Sequence, residues 1–188
     1  MSPPVAAAPS TEEPTMPVTR LNHAVLYVRD AERSAAFYHD VLGFTPVDMG
    51  GTVIPGAVFM RAPGSTNDHD LGLFSVGTAA GPSGAGRQTV GLYHLAWEVD
   101  TLDELERLAG ALAERGALVG ASDHGTTKAL YASDPDGIEF EVSWLVPAAL
   151  LTDEAREGRS TIRPLDLGRE KERYGAATRG GVGVSVPV

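Results

Sequence analysis

The chain contains no cysteine. That single absence excludes disulfides, thiolate metal ligands and cysteine nucleophiles, and it fits a reducing cytoplasm. Basic charge is scarce: 15 Lys and Arg stand against 25 Asp and Glu, a formal net charge of −10. No basic block offsets this balance, so nucleic acid and anionic membrane are not expected partners. No apolar run has the length needed to span a bilayer. The first twenty residues hold Glu12, Glu13 and several prolines, without the apolar segment of a secretory signal. A cytoplasmic location is therefore expected. Any bound metal must be held by His, Asp or Glu, which suits iron, manganese, zinc, nickel or cobalt better than copper(I) or an iron–sulfur cluster.

The 188 residues fit one domain or two small half-domains, and the pattern favours an internal repeat. Leu21–Val28 and Leu92–Val99 are two versions of one short strand, each with a histidine at the same step (His23, His94) and each followed by a helix-start signal. Residues 1–17, rich in Pro, Ala, Ser and Thr, read as a disordered tail. In the first unit, 18–80, Asp30 is the N-cap of a helix in which Ser34, Tyr38, Val41 and Leu42 follow helical spacing, and Gly43 stops it. Strands follow at 45–49, 56–61 and 71–76. Gly81–Gly86 is a connector. In the second unit, 89–146, Thr101 and Glu104 form a capping box, Leu105, Leu108, Ala109 and Leu112 make one helix face, and Gly116 ends it. Strands at 117–122, 129–133 and 138–144 complete it, with a turn at Asp134-Pro135-Asp136-Gly137. Each unit reads βαβββ. Residues 147–188 form a C-terminal extension with short helices at 152–157 and 167–174.

Side chains alternate across a strand. His23 shares a face with Leu21, Val25 and Tyr27; His94 shares one with Ala96 and Glu98; Glu139, Glu141 and Ser143 share one, opposite Ile138, Phe140, Val142 and Trp144. If the sheets curve around a common cavity, two imidazoles and a carboxylate converge there. A strand histidine is more often a hydrogen-bonded core residue than a ligand, and a repeat can inherit one twice. Glu141 is harder to explain that way, because a carboxylate within an apolar run is costly unless it is paired or bound to a metal.

The βαβββ repeat, the opening LNHAVLYVRDAERSAAFYHDVLGF and the ending DPDGIEFEV resemble the vicinal oxygen chelate superfamily, which includes glyoxalases, bleomycin- and fosfomycin-resistance proteins, epimerases and type I extradiol dioxygenases. The resemblance covers residues 18–146. It implies an α+β fold in which two tandem βαβββ modules form a cupped, barrel-like mixed sheet around a metal site. The implied ligands are His23, His94 and Glu141. His69, in a His-Asp pair, resembles the acid/base histidine of the extradiol enzymes, and His124 and Tyr131 resemble their His-Gly and tyrosine motif. Where glyoxalase-like members carry a fourth glutamate ligand, residues 69–76 have none. Val25 departs from some two-domain extradiol enzymes, which place an oxygen-orienting asparagine there.

The resemblance thus implies an Fe(II)-dependent extradiol dioxygenase, with Mn(II) as the alternative ion, taking a catechol and O2 as partners and assembling as a homodimer or higher homo-oligomer. The competing readings are a glyoxalase- or epimerase-like metalloenzyme, with His69 as a fourth ligand, and an antibiotic-binding protein. His39 is assigned to solvent. The extension has no assigned role beyond covering a surface or making an oligomer contact.

Overall fold

A computed structural model describes residue 18 and residues 20–51, 53–86 and 88–181. The tail at 1–17 lies outside these. The first module runs β1 (Ala24–Val28), α1 (Ala31–Leu42), β2 (Thr45–Pro46), β3 (Ala57–Arg61) and β4 (Leu71–Ser75). The second runs β5 (Leu95–Glu98), α2 (Leu102–Glu114), β6 (Leu118–Asp123), β7 (Thr127–Ser133) and β8 (Glu139–Leu145). The extension adds α3 (Asp153–Glu157), β9 (Arg163–Pro164) and α4 (Leu167–Tyr174).

Local chemistry sets the helix ends. The Asp30 carboxylate accepts from the backbone N–H of Glu32 and Arg33, and Gly43 closes α1 at φ 74°, a left-handed conformation that favours glycine. Thr101 caps α2 by accepting from the Glu104 N–H. Leu102, Leu105, Leu108 and Leu112 are all buried on one face of α2, and each contributes about 1.5–3 kcal/mol by leaving water.

The strands form two sheets, ordered β1-β4-β3-β2 and β5-β8-β7-β6-β9. In each, the strand before the helix pairs in parallel with the last strand of its module, and the others pair antiparallel. The α+β class and the repeat match expectation. The two sheets do not close into one barrel. β2 is shorter than expected, ending at Pro46, with one further backbone bond from the Val47 N–H to the Phe59 carbonyl at 2.8 Å.

The modules join through their helix-covered faces. Phe37 of α1 packs edge-on against Phe140 of β8 at 6.0 Å, and Phe44 against Trp97 of β5 at 5.1 Å. Asp136 of the β7–β8 turn accepts from the Arg29 backbone N–H at 2.6 Å and pairs with its guanidinium at 2.9 Å. With the greasy faces spent on this joint, the opposite faces stay open. Leu21, Val25 and Tyr27 on the His23 face are 79, 52 and 76 % exposed, and Tyr93 beside His94 is 62 % exposed.

Candidate metal centre

Strand register assembles one group of side chains on the second sheet. β5 and β8 pair with Ala96 opposite Glu141, and His94 lies two residues before Ala96 on the same face. Its Nε2 is 3.3 Å from Glu141 Oε2. On the other side of β8, Tyr131 of β7 stands opposite Glu141, and its ring centroid is 5.9 Å from that of His94. Burial, and then the negative charge of Glu141, push the Tyr131 hydroxyl above its ordinary pKa, so it is a neutral phenol. His124 follows the end of β6. Its Nε2 lies 3.0 Å from the Tyr131 hydroxyl and its Nδ1 lies 3.2 Å from the Thr161 carbonyl. His94, Glu141, Tyr131 and His124 thus form one continuous polar string.

A second group sits on the first sheet. The parallel β1–β4 pairing brings the residue before β1 near the loop entering β4, and the rings of His23 and His69 are 4.5 Å apart. His23 Nδ1 is 2.8 Å from the Asn22 side-chain oxygen, and His69 Nδ1 is 3.0 Å from Asp68 Oδ2. The loop bearing His69 is held from inside. Asp70 Oδ1 accepts from Ser65 Oγ and Asn67 Nδ2, both at 2.7 Å, and its Oδ2 accepts from the Ala62 N–H at 2.9 Å. Asn67 also donates to the Asn22 carbonyl at 2.8 Å, tying this loop to the residue before His23. Asp70 and Asn67 were legible only as loop polarity in the sequence, although an Asp at a strand entry after a Ser-x-Asn run is a turn-forming signal.

The two groups do not meet within one chain. Among the described residues, no three His, Asp or Glu side chains are placed together to hold an ion. The convergence of His23, His94 and Glu141 expected from a closed cup therefore does not occur inside this chain. The joint uses the helix-covered faces; His23 is exposed on the first sheet, whereas the His94 and Glu141 side chains are 25 and 14 % exposed on the second. His39 projects to solvent beside Asp40, as expected. Gly72 holds the place in β4 that Glu141 holds in β8, since Val25 pairs with Gly72 as Ala96 pairs with Glu141. The first module consequently offers no carboxylate there, only His69.

The half-site on the second sheet fits a divalent cation. Two donors each about 2.0–2.2 Å from one ion lie roughly 3 Å apart at a right angle, close to the separation of His94 Nε2 and Glu141 Oε2. His94 Nδ1 is buried without a hydrogen-bond partner, so with Nε2 on an ion its N–H would have no acceptor among the described residues.

The family profile for the glyoxalase/bleomycin resistance protein/dioxygenase superfamily matches residues 20–142, well over half of the chain. A catechol-2,3-dioxygenase of Bacillus subtilis is 32 % identical over 127 residues, which are 66 % of this chain and 41 % of the relative. A manganese-dependent 2,3-dihydroxybiphenyl 1,2-dioxygenase of Geobacillus genomosp. 3 is 27 % identical over 156 residues, 80 % of this chain and 45 % of the relative. The chain thus spans less than half the length of these relatives. Among solved structures, a glyoxylase/bleomycin resistance protein/dioxygenase domain from Frankia sp. EAN1pec superposes with a TM-score of 0.57 at 22 % identity, covering 70 % of this chain and 95 % of that one. A glyoxalase/dioxygenase from Nostoc punctiforme gives 0.55 at 22 % identity, covering 76 and 97 %. These structures speak to the fold. With the profile match over both modules, the chain belongs to the glyoxalase/bleomycin resistance protein/dioxygenase superfamily.

Proposed function

We propose that the protein is an extradiol dioxygenase for a catecholic substrate, using Fe(II) or Mn(II). The observation that carries this reading is the string of His94, Glu141, Tyr131 and His124, in which a potential ligand pair adjoins a phenol and an imidazole suited to a substrate oxygen. The names of the dioxygenase relatives support it.

His94 and Glu141 would hold the ion, with His23 as third donor. Because His23 lies on an open face, we assign that donor to a second copy of the chain. Each copy exposes two incomplete faces, one with His23 and His69 and one with His94 and Glu141. A two-fold pairing that apposes them completes two equivalent sites and covers Leu21, Val25, Tyr27 and Tyr93, an exposed apolar set that a lone chain leaves wet.

When bound, the ion supplies a positive charge that eases catechol ionisation and a redox partner for dioxygen. The chain's residues supply the rest. His69, with Nδ1 fixed by Asp68, takes a hydroxyl proton through its other nitrogen and later returns it. An imidazole serves both steps because its ordinary pKa is near neutrality. Tyr131 hydrogen-bonds the substrate oxygen. Overall, one ring C–C bond beside a hydroxylated carbon breaks and both atoms of O2 enter the ring-opened semialdehyde.

A glyoxalase- or epimerase-like reading is favoured by one observation, the 4.5 Å ring separation of His23 and His69, which would suit His69 as a fourth ligand. The test is direct. Protein loaded with Fe(II) or Mn(II) without air, then given a panel of catechols and oxygen, should consume O2 and turn yellow. Absence of O2 uptake across the panel, with the ion retained, would remove the dioxygenase reading and leave the chelating alternative.

A further inference from the structure

The extension beyond residue 146 reaches the polar string through the Thr161 carbonyl, 3.2 Å from His124 Nδ1. A carbonyl can only accept, so that nitrogen must carry a proton. On a neutral imidazole this leaves Nε2 as an acceptor, and the group 3.0 Å away is the Tyr131 hydroxyl. Tyr131 has one proton to give, and the Glu141 carboxylate competes for it. With Nδ1 of His124 protonated, the phenol donates to His124. With the other tautomer, His124 donates to the phenolic oxygen and the phenol donates to Glu141, occupying a lone pair that an ion would need.

We infer that the C-terminal extension is a positioning element of the site: the Thr161 carbonyl holds His124 in the Nδ1–H tautomer, which turns the Tyr131 proton away from Glu141. The inference rests on the proposed role of Glu141 as a ligand, but its first measurement does not.

The extension is built to hold that carbonyl in place. Thr161 is folded back on Gly158, its N–H and its hydroxyl both donating to the Gly158 carbonyl at 2.9 and 2.7 Å. The next residues form β9, pairing Asp123 with Arg163 on the strand that leads into His124. On the other side, α3 presses on the turn after His124. Gly125 has φ +71°, and a Cβ added there would lie 2.2 Å from the Ala155 carbonyl oxygen and 3.0 Å from the Gly158 carbonyl carbon. Backbone touches backbone, so the extension and the His124 turn can be adjacent only with glycine at this position.

The test uses the full-length, metal-free chain labelled with 15N-histidine, in long-range 1H–15N spectra at a pH where the imidazoles are neutral. His124→Gln assigns the signals. His124 should show the Nδ1–H tautomer, the minor form of free histidine. Gly125→Ala, which forces the extension off the turn, should shift His124 toward Nε2–H. Thr161→Val, which removes only the hydroxyl bond to Gly158, gives a milder variant should the first not fold. Mn(II) binding should then weaken about tenfold, the scale of losing a ligand's supporting contact. In a Tyr131→Phe background the same substitutions should leave Mn(II) affinity unchanged, because no phenolic proton competes. A wild-type His124 in the Nε2–H form overturns the inference whatever the metal or the reaction. Equal weakening with and without the Tyr131 hydroxyl also overturns it, since that is general damage. If the tautomer is as stated but no catechol is turned over, the proposed function fails and this inference stands.

Discussion

Lys128 should be the costliest polar residue in the molecule to remove. It lies on β7 with its side chain 1 % exposed, and β-register sets it opposite Asp123. Its ammonium pairs with the Asp123 carboxylate and, at 2.9 Å outside hydrogen-bond geometry, with Glu170 of α4, whose side chain is 4 % exposed. The same ammonium lies 5.6 Å from the centroid of the Tyr174 ring. Lys128→Met keeps most of the apolar stem and deletes the charge, stranding a buried carboxylate on α4. Breaking a buried pair in this way costs about 3–5 kcal/mol. At a urea sensitivity of about 2 kcal/mol per molar, the midpoint should fall by roughly 1.5–2.5 M, read by fluorescence of Trp144, which packs 5.6 Å from Tyr174. Replacing both partners, Lys128→Met with Glu170→Leu, should recover most of the loss, because Asp123 still accepts from the Gly125 N–H at 2.8 Å. A single variant that loses less than about 1 kcal/mol, or a double variant as weak as the single, would refute the claim that this ion group ties α4 to the sheet.

Four further outcomes follow from the same contacts. Burial alone would raise the Asp123 carboxyl, but the Lys128 ammonium and the Gly125 N–H outweigh it and hold it below its ordinary pKa. That stability is present above the unfolded carboxyl pKa, about 4, and is lost as pH falls through the lowered value, so Lys128→Met should flatten the acid limb of a urea-midpoint profile below about pH 5. Glu141→Ala should abolish iron retention in metal analysis of purified protein, and retention would exclude Glu141 as a ligand. His69→Phe should keep the ion and slow ring cleavage by 10²- to 10⁴-fold, the usual worth of a positioned acid/base; loss of the ion instead would make His69 a ligand. Tyr27→Glu, placing charge on the open His23 face, should lower both the dimer fraction in ultracentrifugation and the bound metal, and a variant that assembles normally would exclude that face as the contact.

Much of the fold was legible because it rests on short-range rules. Asp30, Gly43 and Thr101 announce helix ends by chemistry that acts within a few residues. Alternation along 138–144 correctly set Phe140, Val142 and Trp144 on the buried face and Glu141 on the other. His94 meets Glu141 because β5 and β8 are neighbours in register, and Tyr131 stands opposite Glu141 across β7 and β8. What the sequence did not show was which faces the modules use to meet. Periodicity says that a face is apolar, not what covers it, and Phe37, Phe140 and Trp97 had partners as plausible within a module as across the joint. The contact at His124 Nδ1 is a backbone carbonyl, at Thr161, and a carbonyl leaves no trace in residue identity.

Whether each site draws His23 from one copy and His94 with Glu141 from another is read by mixing two defective variants. His23→Ala and Glu141→Ala should each bind no iron and cleave no catechol alone. Unfolded together and refolded in equal amounts, they should regain roughly a quarter of the wild-type sites, because half the dimers are mixed and one of the two sites in each is intact. No recovery in mixtures that demonstrably contain the mixed dimer would rule out a shared site, and would place all three donors within one chain or none of them at the metal.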